Sequence, residues 1–284
     1  MQLTERDHQI IRLIYRHRFL RSSHIIALVG GSSQQILRRL KLLYHHGFLE
    51  RPRSQIDYFH RGGSHHIVYG LGNKAAKLLK EFGIAPAKFR FGEKNRAVGK
   101  VFLNHAILVS EIMVAVELAC RKASVDLIYG EEISLPGKIR IRRQPFQWKV
   151  NVNGSKLTVF PDQVFALKFK NGKESCVFFF LEADRGTMPV TRKNLLQTSF
   201  RRKLIAYEAT WKQNLHRTRF GFDRFRVLTV TTSAARVASL VQTCSELKSG
   251  HGLFLFADKS ILSGDILSHK WKIGRRDETT TFFD

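Results

Sequence analysis

The most informative stretch of this sequence is Val159–Phe–Pro–Asp162, followed along the chain by Phe179–Phe–Leu–Glu–Ala–Asp–Arg–Gly–Thr187. Both contain apolar runs typical of buried strands, and carboxylates stand near the ends of these runs, at Asp162, Glu182 and Asp184. A buried carboxylate is costly unless a cation pairs with it, and a divalent metal ion is a common partner. The sequence therefore predicts a metal site. Pairing of Glu182 and Asp184 with an arginine (Arg185, Arg192 or Arg201) is the alternative.

The overall charge indicates what such a site acts on. The chain of 284 residues has 48 Lys and Arg against 23 Asp and Glu, a net charge of +25. This excess favours binding to nucleic acid, although a merely basic protein would share it. The three cysteines are far apart, no signal peptide is evident, and no apolar stretch is expected to approach the roughly 20 residues of a membrane helix. We expect a soluble cytoplasmic protein without a membrane partner.

The first 83 residues are predicted to form three helices and two strands. Thr4 precedes the first helix, and Asp7 lies in its first turn, where a carboxylate is favourable. Gly30 ends the second helix, and Ser32 begins the third. Phe48–Arg51 and Ile67–Leu71 are the predicted strands. Helix-turn-helix plus hairpin resembles the winged-helix family of DNA-binding domains.

The third predicted helix has an apolar face and a polar face. The apolar positions are Ile36, Leu37, Leu40, Leu43 and Tyr44. The polar face and its flanks carry Gln34, Gln35, Arg38, Arg39 and Lys41. Because glutamine and arginine form paired hydrogen bonds with base edges in the major groove, we predict that this helix contacts DNA. A face that is only solvated is the alternative.

The segment Pro52–His66 between the two strands is rich in basic residues, including Arg53 and Arg61. We predict that it forms a wing that contacts phosphate or enters the minor groove. Residues 84–99 contain Pro, Gly and scattered basic residues, which predicts a basic linker. The expected domains are therefore 1–83, 84–99 as linker, and 100–284.

Residues 100–284 are predicted to form an α/β sandwich around a mixed sheet, in the order α-β-β-β-α-β. The predicted strands are Val125–Ile133, Leu157–Phe169, Ser175–Glu182 and Phe225–Thr231. The predicted helices are Lys100–Lys122 and Asn194–Gln213. Glu111 falls within the apolar stripe of the first of these helices, so it is paired, exposed or functional.

The second domain resembles the PD-(D/E)XK nuclease superfamily at Glu111, Pro161–Asp162 and Glu182. More narrowly, the chain resembles the replication-relaxation family of plasmids and other mobile elements. The matching segments are Leu3–Asp7, Asn104–Ala106, Pro161–Asp162, Phe179–Thr187 and Lys203–Tyr207.

The resemblance implies that Asp162 and Glu182 bind Mg²⁺ or Mn²⁺, with Glu111 or Asp184 completing the coordination. It also implies metal-assisted attack of water on a phosphodiester. The superfamily has a lysine two residues after the second acid, where this chain has Asp184. Lys203 would substitute if the following helix brings it to Glu182, with Tyr207 on the same helix face. A degenerate core that only binds DNA is the alternative.

A further basic stretch contains Arg140, Arg142, Arg143 and Lys149. We expect a hairpin or loop that contacts the DNA backbone, with Phe146 or Trp148 stacking on an unpaired base of nicked or partly single-stranded DNA. Aromatic residues buried in the core are the alternative.

Three functions fit the sequence. The first is a DNA-binding protein of a mobile element, involved in replication, relaxation or transfer or their regulation. The second is a Mg²⁺-dependent endonuclease of recombination or defence. The third is a transcriptional regulator whose second domain mediates self-association. Double-stranded DNA is the expected partner, together with a second copy of the chain or other mobile-element proteins.

Overall fold

The computed structural model describes residues 1–56, 66–84, 91–142, 144–169, 175–194, 197–275 and 278–282. The chain forms two compact units, Met1–Val114 and Ala115–Asp284. The expected linker, residues 84–99, therefore falls within the first unit.

The first unit consists of helices around a small antiparallel sheet. Its helices are α1 (Glu5–His17), α2 (Ser22–Val29), α3 (Ser33–His45), α4 (Asn73–Glu81), α5 (Phe91–Arg96) and the beginning of α6 (Lys100–Ala123). Its strands are β1 (Phe19–Arg21), β2 (Leu49–Glu50) and β3 (Val68–Leu71), in the order β1-β3-β2. The sequence did not indicate β1.

Local sequence signals set the helix starts in this unit. The Asp7 carboxylate accepts hydrogen bonds from the backbone N–H of Thr4 at 2.7 Å and from its hydroxyl at 2.8 Å, as expected at the start of α1. The Ser32 hydroxyl accepts from the backbone N–H of Gln35 at the start of α3. The predicted pairing of β2 with β3 is confirmed, with Leu49 opposite Leu71.

The segment expected to be a linker is partly helical and packed. α5 lies against the sheet, since the Asn95 side chain donates to the Leu71 carbonyl at 2.9 Å. The Arg96 guanidinium donates to Glu50 of β2 at 2.6 and 3.1 Å. The prediction of a linker throughout 84–99 is therefore wrong at α5, because these tertiary contacts outweigh the weak local preferences. Residues 85–90 lie outside the described residues.

The second unit contains a seven-stranded mixed sheet. The strands in spatial order are β12 (Thr279–Thr280), β11 (Trp271–Ile273), β10 (Phe254–Asp258), β9 (Phe225–Thr231), β8 (Ser175–Ala183), β7 (Gln163–Phe169) and β4 (Asp126–Tyr129). The pairs β8–β9 and β9–β10 are parallel, and the others are antiparallel. The predicted mixed α/β class is confirmed.

The helices of this unit are the end of α6, α7 (Gly137–Arg140), α8 (Phe200–Lys212), α9 (Leu215–Phe220) and α10 (Ala234–Ser245). A separate hairpin joins β5 (Trp148–Val152) to β6 (Ser155–Val159). Its two-residue turn is Asn153–Gly154, and both residues have positive φ, the preference of a tight hairpin turn.

One predicted strand is in fact two. The expected strand Leu157–Phe169 is interrupted at residues 160–162, with β6 in the hairpin and β7 in the large sheet. Pro161 has no N–H to donate to a neighbouring strand, which suits it to this break. Asp162 is the last residue of the break, and its backbone N–H donates to the Leu181 carbonyl at 3.0 Å.

Aromatic residues fill the core between the large sheet, the hairpin and the helices. Trp148 lies 5.2 Å from Phe180 and 5.1 Å from Phe220 between ring centroids. Tyr207 of α8 stacks on Phe180 at 5.7 Å. This packing brings α8 and the β5–β6 hairpin over the end of β8.

Candidate functional site

The exposed face of α3 carries most of the predicted DNA-contacting residues. Gln34, Gln35, Arg38 and Lys41 are exposed to solvent. Arg6 of α1 donates to the Gln35 side chain at 3.2 Å, which orients this amide. Leu37 is 45% exposed, so its assignment to the apolar face is wrong; it stands beside the polar positions instead.

Arg39 differs from its neighbour Arg38. Its guanidinium forms an ion pair with Asp7 of α1, whose carboxylate is fully buried, and its Nε donates to Asp7 at 2.9 Å. Burial opposes ionisation of Asp7, but hydrogen bonds from Arg39 and Thr4 outweigh it and lower the pKa of Asp7. In this structure, Arg39 joins α3 to α1. Its contact with DNA stays a prediction.

The base of the predicted wing is fixed to the sheet. Arg53 is exposed in a short 3₁₀ turn, Arg53–Gln55. The Gln55 side chain accepts from the Val68 N–H at 2.8 Å and donates to the Val68 carbonyl at 3.2 Å, as a neighbouring strand would. Arg61 lies outside the described residues.

Glu111 is paired within the first unit. Its carboxylate forms an ion pair with Arg21, at the end of β1. The side chain is 26% exposed, so it has an ordinary partner in a partly solvated position. A catalytic role for Glu111 stays a prediction.

Asp162 and Glu182 lie at adjacent ends of β7 and β8. The Asp162 carboxylate accepts from the backbone N–H of Ala183 at 2.8 Å. The β7–β8 register places Gln163 opposite Leu181, which sets Asp162 next to Glu182 across the strand pair. The structure thus brings these two predicted residues together.

Glu182 is held by two side chains of α8. Its carboxylate forms an ion pair with Lys203 and accepts a hydrogen bond from the Tyr207 hydroxyl at 2.6 Å. This confirms the expected placement of both residues over Glu182, one helical turn apart. Burial raises the pKa of Glu182, with the nearby Asp162 charge acting in the same direction and Lys203 opposing it. The Glu182 charge raises the pKa of Lys203 despite its burial.

Asp184 faces a different partner. Arg236, near the start of α10, donates to the two Asp184 oxygens at 2.9 and 3.3 Å. The Thr231 hydroxyl donates to one of these oxygens at 2.7 Å and the Gly186 N–H to the other at 3.1 Å. Arg236 also donates to the Met188 carbonyl at 2.6 Å, so it fixes the loop after β8. The arginine that pairs with Asp184 is one that sequence inspection missed, because it lies 52 residues away.

Protein donors contact the carboxylates that the resemblance assigns to Mg²⁺ or Mn²⁺, and binding of either ion stays a prediction. Both Glu182 oxygens and both Asp184 oxygens are occupied by protein donors. Within the described ranges, no three His, Cys, Asp or Glu side chains converge in an arrangement that could hold a metal ion. We call Asp162, Glu182 and Asp184 the carboxylate centre, in which Lys203 pairs with Glu182 and Arg236 pairs with Asp184.

The basic stretch that begins at Arg140 was expected to be accessible to DNA, and its described arginines are exposed. Arg140 and Arg142 are exposed, and Arg143 lies outside the described residues. Trp148 is buried, and its indole N–H donates to the Thr210 hydroxyl at 2.9 Å. Stacking of Trp148 on a base is therefore a wrong prediction, since the ring belongs to the core. Phe146 is half-buried against Phe220.

By length and composition alone, α6 could cross a membrane, with a mean hydropathy of 1.7 over its most apolar 18 residues. The expectation that no apolar stretch has this length is therefore wrong. Core helices of soluble proteins pass the same test, and 44% of that window is buried. Ser110 of α6 donates to the Phe19 carbonyl at 2.7 Å, which shows part of this helix packed within the first unit.

Comparison with curated proteins gives no match, and neither does comparison with solved structures. The profile of one family, described as replication-relaxation, matches residues 11–223. This range is well over half of the chain and includes α3, the carboxylates at β7 and β8, and Lys203 and Tyr207 of α8. The chain belongs to the replication-relaxation family.

Proposed function

We propose that this protein binds double-stranded DNA during the replication or relaxation of a mobile element, with α3 selecting the site. Family membership suggests the process. The observation that carries DNA binding is the exposed face of α3, where Gln34, Arg38 and Lys41 stand free of the core in a chain of net charge +25.

The chemistry of this face suits the major groove. Arg38 and Gln34 can each form two hydrogen bonds with one base, and Lys41 suits a phosphate. The exposed Leu37 between them is an apolar group of the kind that contacts a thymine methyl. The three helices and the β1-β3-β2 sheet support assignment of a winged helix-turn-helix, in which Arg53 and the wing contact the backbone.

The second unit is proposed to have a PD-(D/E)XK-like core. In support, α6 precedes strands that pair as β4-β7-β8, and α8 connects β8 to the parallel β9. In our proposal this core is degenerate and binds DNA. The neutralised carboxylates support that assignment, because every oxygen of Glu182 and Asp184 already accepts from a protein group.

The expected setting is the cytoplasm, where the DNA is duplex, nicked or partly single-stranded. A second copy of this chain or other proteins of the same mobile element would be its protein partners. α6 then serves as a core helix and not as a membrane span.

DNA binding is tested with Arg38→Ala and Gln34→Ala in the full chain. Each loses a base contact, so we expect specific affinity to fall by about 1–3 kcal/mol, with less effect on scrambled duplex. Fluorescence anisotropy on a preferred duplex, selected from a random pool, measures this change. Lys77→Ala on α4 is the control, because it removes one exposed charge from the same unit. Equal affinities of wild type and both α3 variants for the selected duplex would refute the proposal.

A second candidate, a Mg²⁺- or Mn²⁺-dependent endonuclease, is favoured by one observation: Lys203 contacts Glu182, and Asp162 lies beside it. Lysine at such a position can stabilise charge on phosphate. Incubation of supercoiled plasmid with the protein and Mg²⁺ or Mn²⁺ tests it. Cutting by wild type that disappears in Glu182→Gln and Lys203→Ala, but persists in Lys212→Ala on the same helix, would establish this activity. Uncut plasmid in both metals would leave the DNA-binding function alone.

A further inference from the structure

A cleft of about 620 Å³ lies beside the β5–β6 hairpin, apart from the carboxylate centre. We call it the hairpin cleft; it is lined by Arg142, Gln144, Gln147, Trp148, Lys149, Thr158 and Arg219. The strand register places Lys149 opposite Thr158, and both are exposed on the same face of the hairpin. The tight Asn153–Gly154 turn holds the two strands in this register.

Arg219, on α9, is fixed in position. One of its terminal nitrogens donates to the Gln147 carbonyl at 2.9 Å and to the Pro145 carbonyl at 3.3 Å. Its guanidinium lies 5.3 Å from the centroid of the Phe220 ring. These neutral groups orient the guanidinium without neutralising it. Its Nε is buried and has no hydrogen-bond partner among the described residues.

The charges of the hairpin cleft are all positive. None of its described lining residues is acidic, and Arg142 and Lys149 have no ion pair with any residue in the described part of the chain. Burial lowers the pKa of Arg219, and the nearby Arg142 charge lowers it further. Three cations held together without an acid are unfavourable alone and become favourable when an anion binds.

We propose that the hairpin cleft binds the phosphodiester backbone of a DNA strand. Arg142, Lys149 and Arg219 would neutralise phosphate charge, while the amides of Gln144 and Gln147 would donate hydrogen bonds to phosphate and sugar oxygens. This inference rests on the proposed DNA-binding function and assigns the second unit its own contact. Because the lining groups recognise the backbone, the contribution is independent of base sequence.

The double variant Arg142→Ala/Lys149→Ala tests the proposal in the full chain. Both side chains are exposed, so the fold should persist, and the fluorescence of the adjacent Trp148 checks it. Binding to labelled duplex is measured by anisotropy at several salt concentrations. We expect the slope of log affinity against log salt to decrease in magnitude by roughly two, about one for each residue, with equal weakening on preferred and scrambled duplexes. Arg224→Ala/Lys259→Ala is the matched control, since it removes the same charges from other exposed positions of the second unit.

A slope identical to that of the wild type, or to that of the control pair, would overturn the proposal. Calorimetric titration with inorganic phosphate identifies a small anion as the alternative ligand: binding lost in the variant while DNA binding is unchanged would also overturn it. These outcomes can be distinguished from failure of the proposed DNA-binding function. If wild type binds no duplex, both proposals fail, whereas unchanged binding by Arg38→Ala with a reduced slope in the cleft variant refutes only the role of α3.

Discussion

Asp7 in the first unit and Glu182 in the second are both buried carboxylates paired with a cation on a later helix, but their pKa values shift in opposite directions. Asp7 accepts from Arg39 and from two groups of Thr4. Glu182 accepts from Lys203 and Tyr207, is also buried, and has the Asp162 charge beside it.

The opposite pKa shifts distinguish these two otherwise similar pairs of a buried carboxylate and a cation. At Asp7 the donors stabilise the ionised form, so the pair fastens α1 to α3 and favours the folded first unit. At Glu182, burial and the Asp162 charge oppose ionisation, so its pairing with Lys203 is expected to stabilise the folded second unit less. Asp184 in the second unit also has an arginine partner, because Arg236 donates to both of its oxygens.

The largest effect is expected at Asp184, because its partner Arg236 is less exposed than Arg39, the partner of Asp7. Asp184→Ala leaves the Arg236 guanidinium, 16% exposed, without its acid and should lower the free energy of unfolding of the second unit by about 3–5 kcal/mol. All three tryptophans (Trp148, Trp211 and Trp271) lie in this unit, so urea unfolding followed by tryptophan fluorescence reports it selectively. A change below about 1 kcal/mol would contradict the structural role. Asp223→Ala, at an exposed acid of the same unit, is the control.

A smaller effect distinguishes two neighbouring arginines of α3. Arg39→Ala removes a charged hydrogen-bond partner of Asp7 and should destabilise the first unit by about 1.5–3 kcal/mol, whereas Arg38→Ala should leave its stability unchanged. Hydrogen exchange of the α1 and α3 backbone amides measures both variants. Equal protection of these amides from exchange in Arg39→Ala and Arg38→Ala would contradict the assignment of a structural role to Arg39 alone.

The smallest effect is a pair of opposite pH dependences. The lowered pKa of Asp7 stabilises the folded first unit above the ordinary Asp value of about 3.9, and this contribution is lost as pH falls through the folded-state value. The raised pKa of Glu182 acts in reverse: stability of the second unit is lost as pH rises from the ordinary Glu value of about 4.3 through the folded-state value.

Asp7→Asn and Glu182→Gln should each remove one of these dependences. For each variant, the stability difference from wild type is measured across pH, by hydrogen exchange for the first unit and tryptophan fluorescence for the second. If the stability difference from wild type changes with pH in the same direction for both variants, the contrast between Asp7 and Glu182 is disproved.

Much of the local structure was predictable from sequence. The starts of α1 and α3 follow from Thr4 and Ser32, whose side chains act within a few residues. The approach of Lys203 and Tyr207 to Glu182 was expected on the condition that the following helix reaches Glu182, and α8 meets that condition. The exposure of Leu37 and the burial of Trp148 could not be predicted from the sequence. A single apolar side chain can be either exposed or buried, and the elements that pack around it decide which.

The partners of the charged residues were the least predictable part. Arg39 pairs across 32 residues and Arg236 across 52, and neither distance leaves a periodic signal in the sequence. The hairpin cleft likewise combines the Arg142 segment with Arg219 of α9. The Asn153–Gly154 dipeptide was a sequence signal that could have located this hairpin.

The sequence by itself determined the positive charge, the mixed α/β class, and the starts of α1 and α3, because these depend on composition and on interactions between near neighbours. The tertiary structure alone decided which cations are neutralised and which stay available. Ion pairs and desolvation depend on distances in space, and only folding sets those distances.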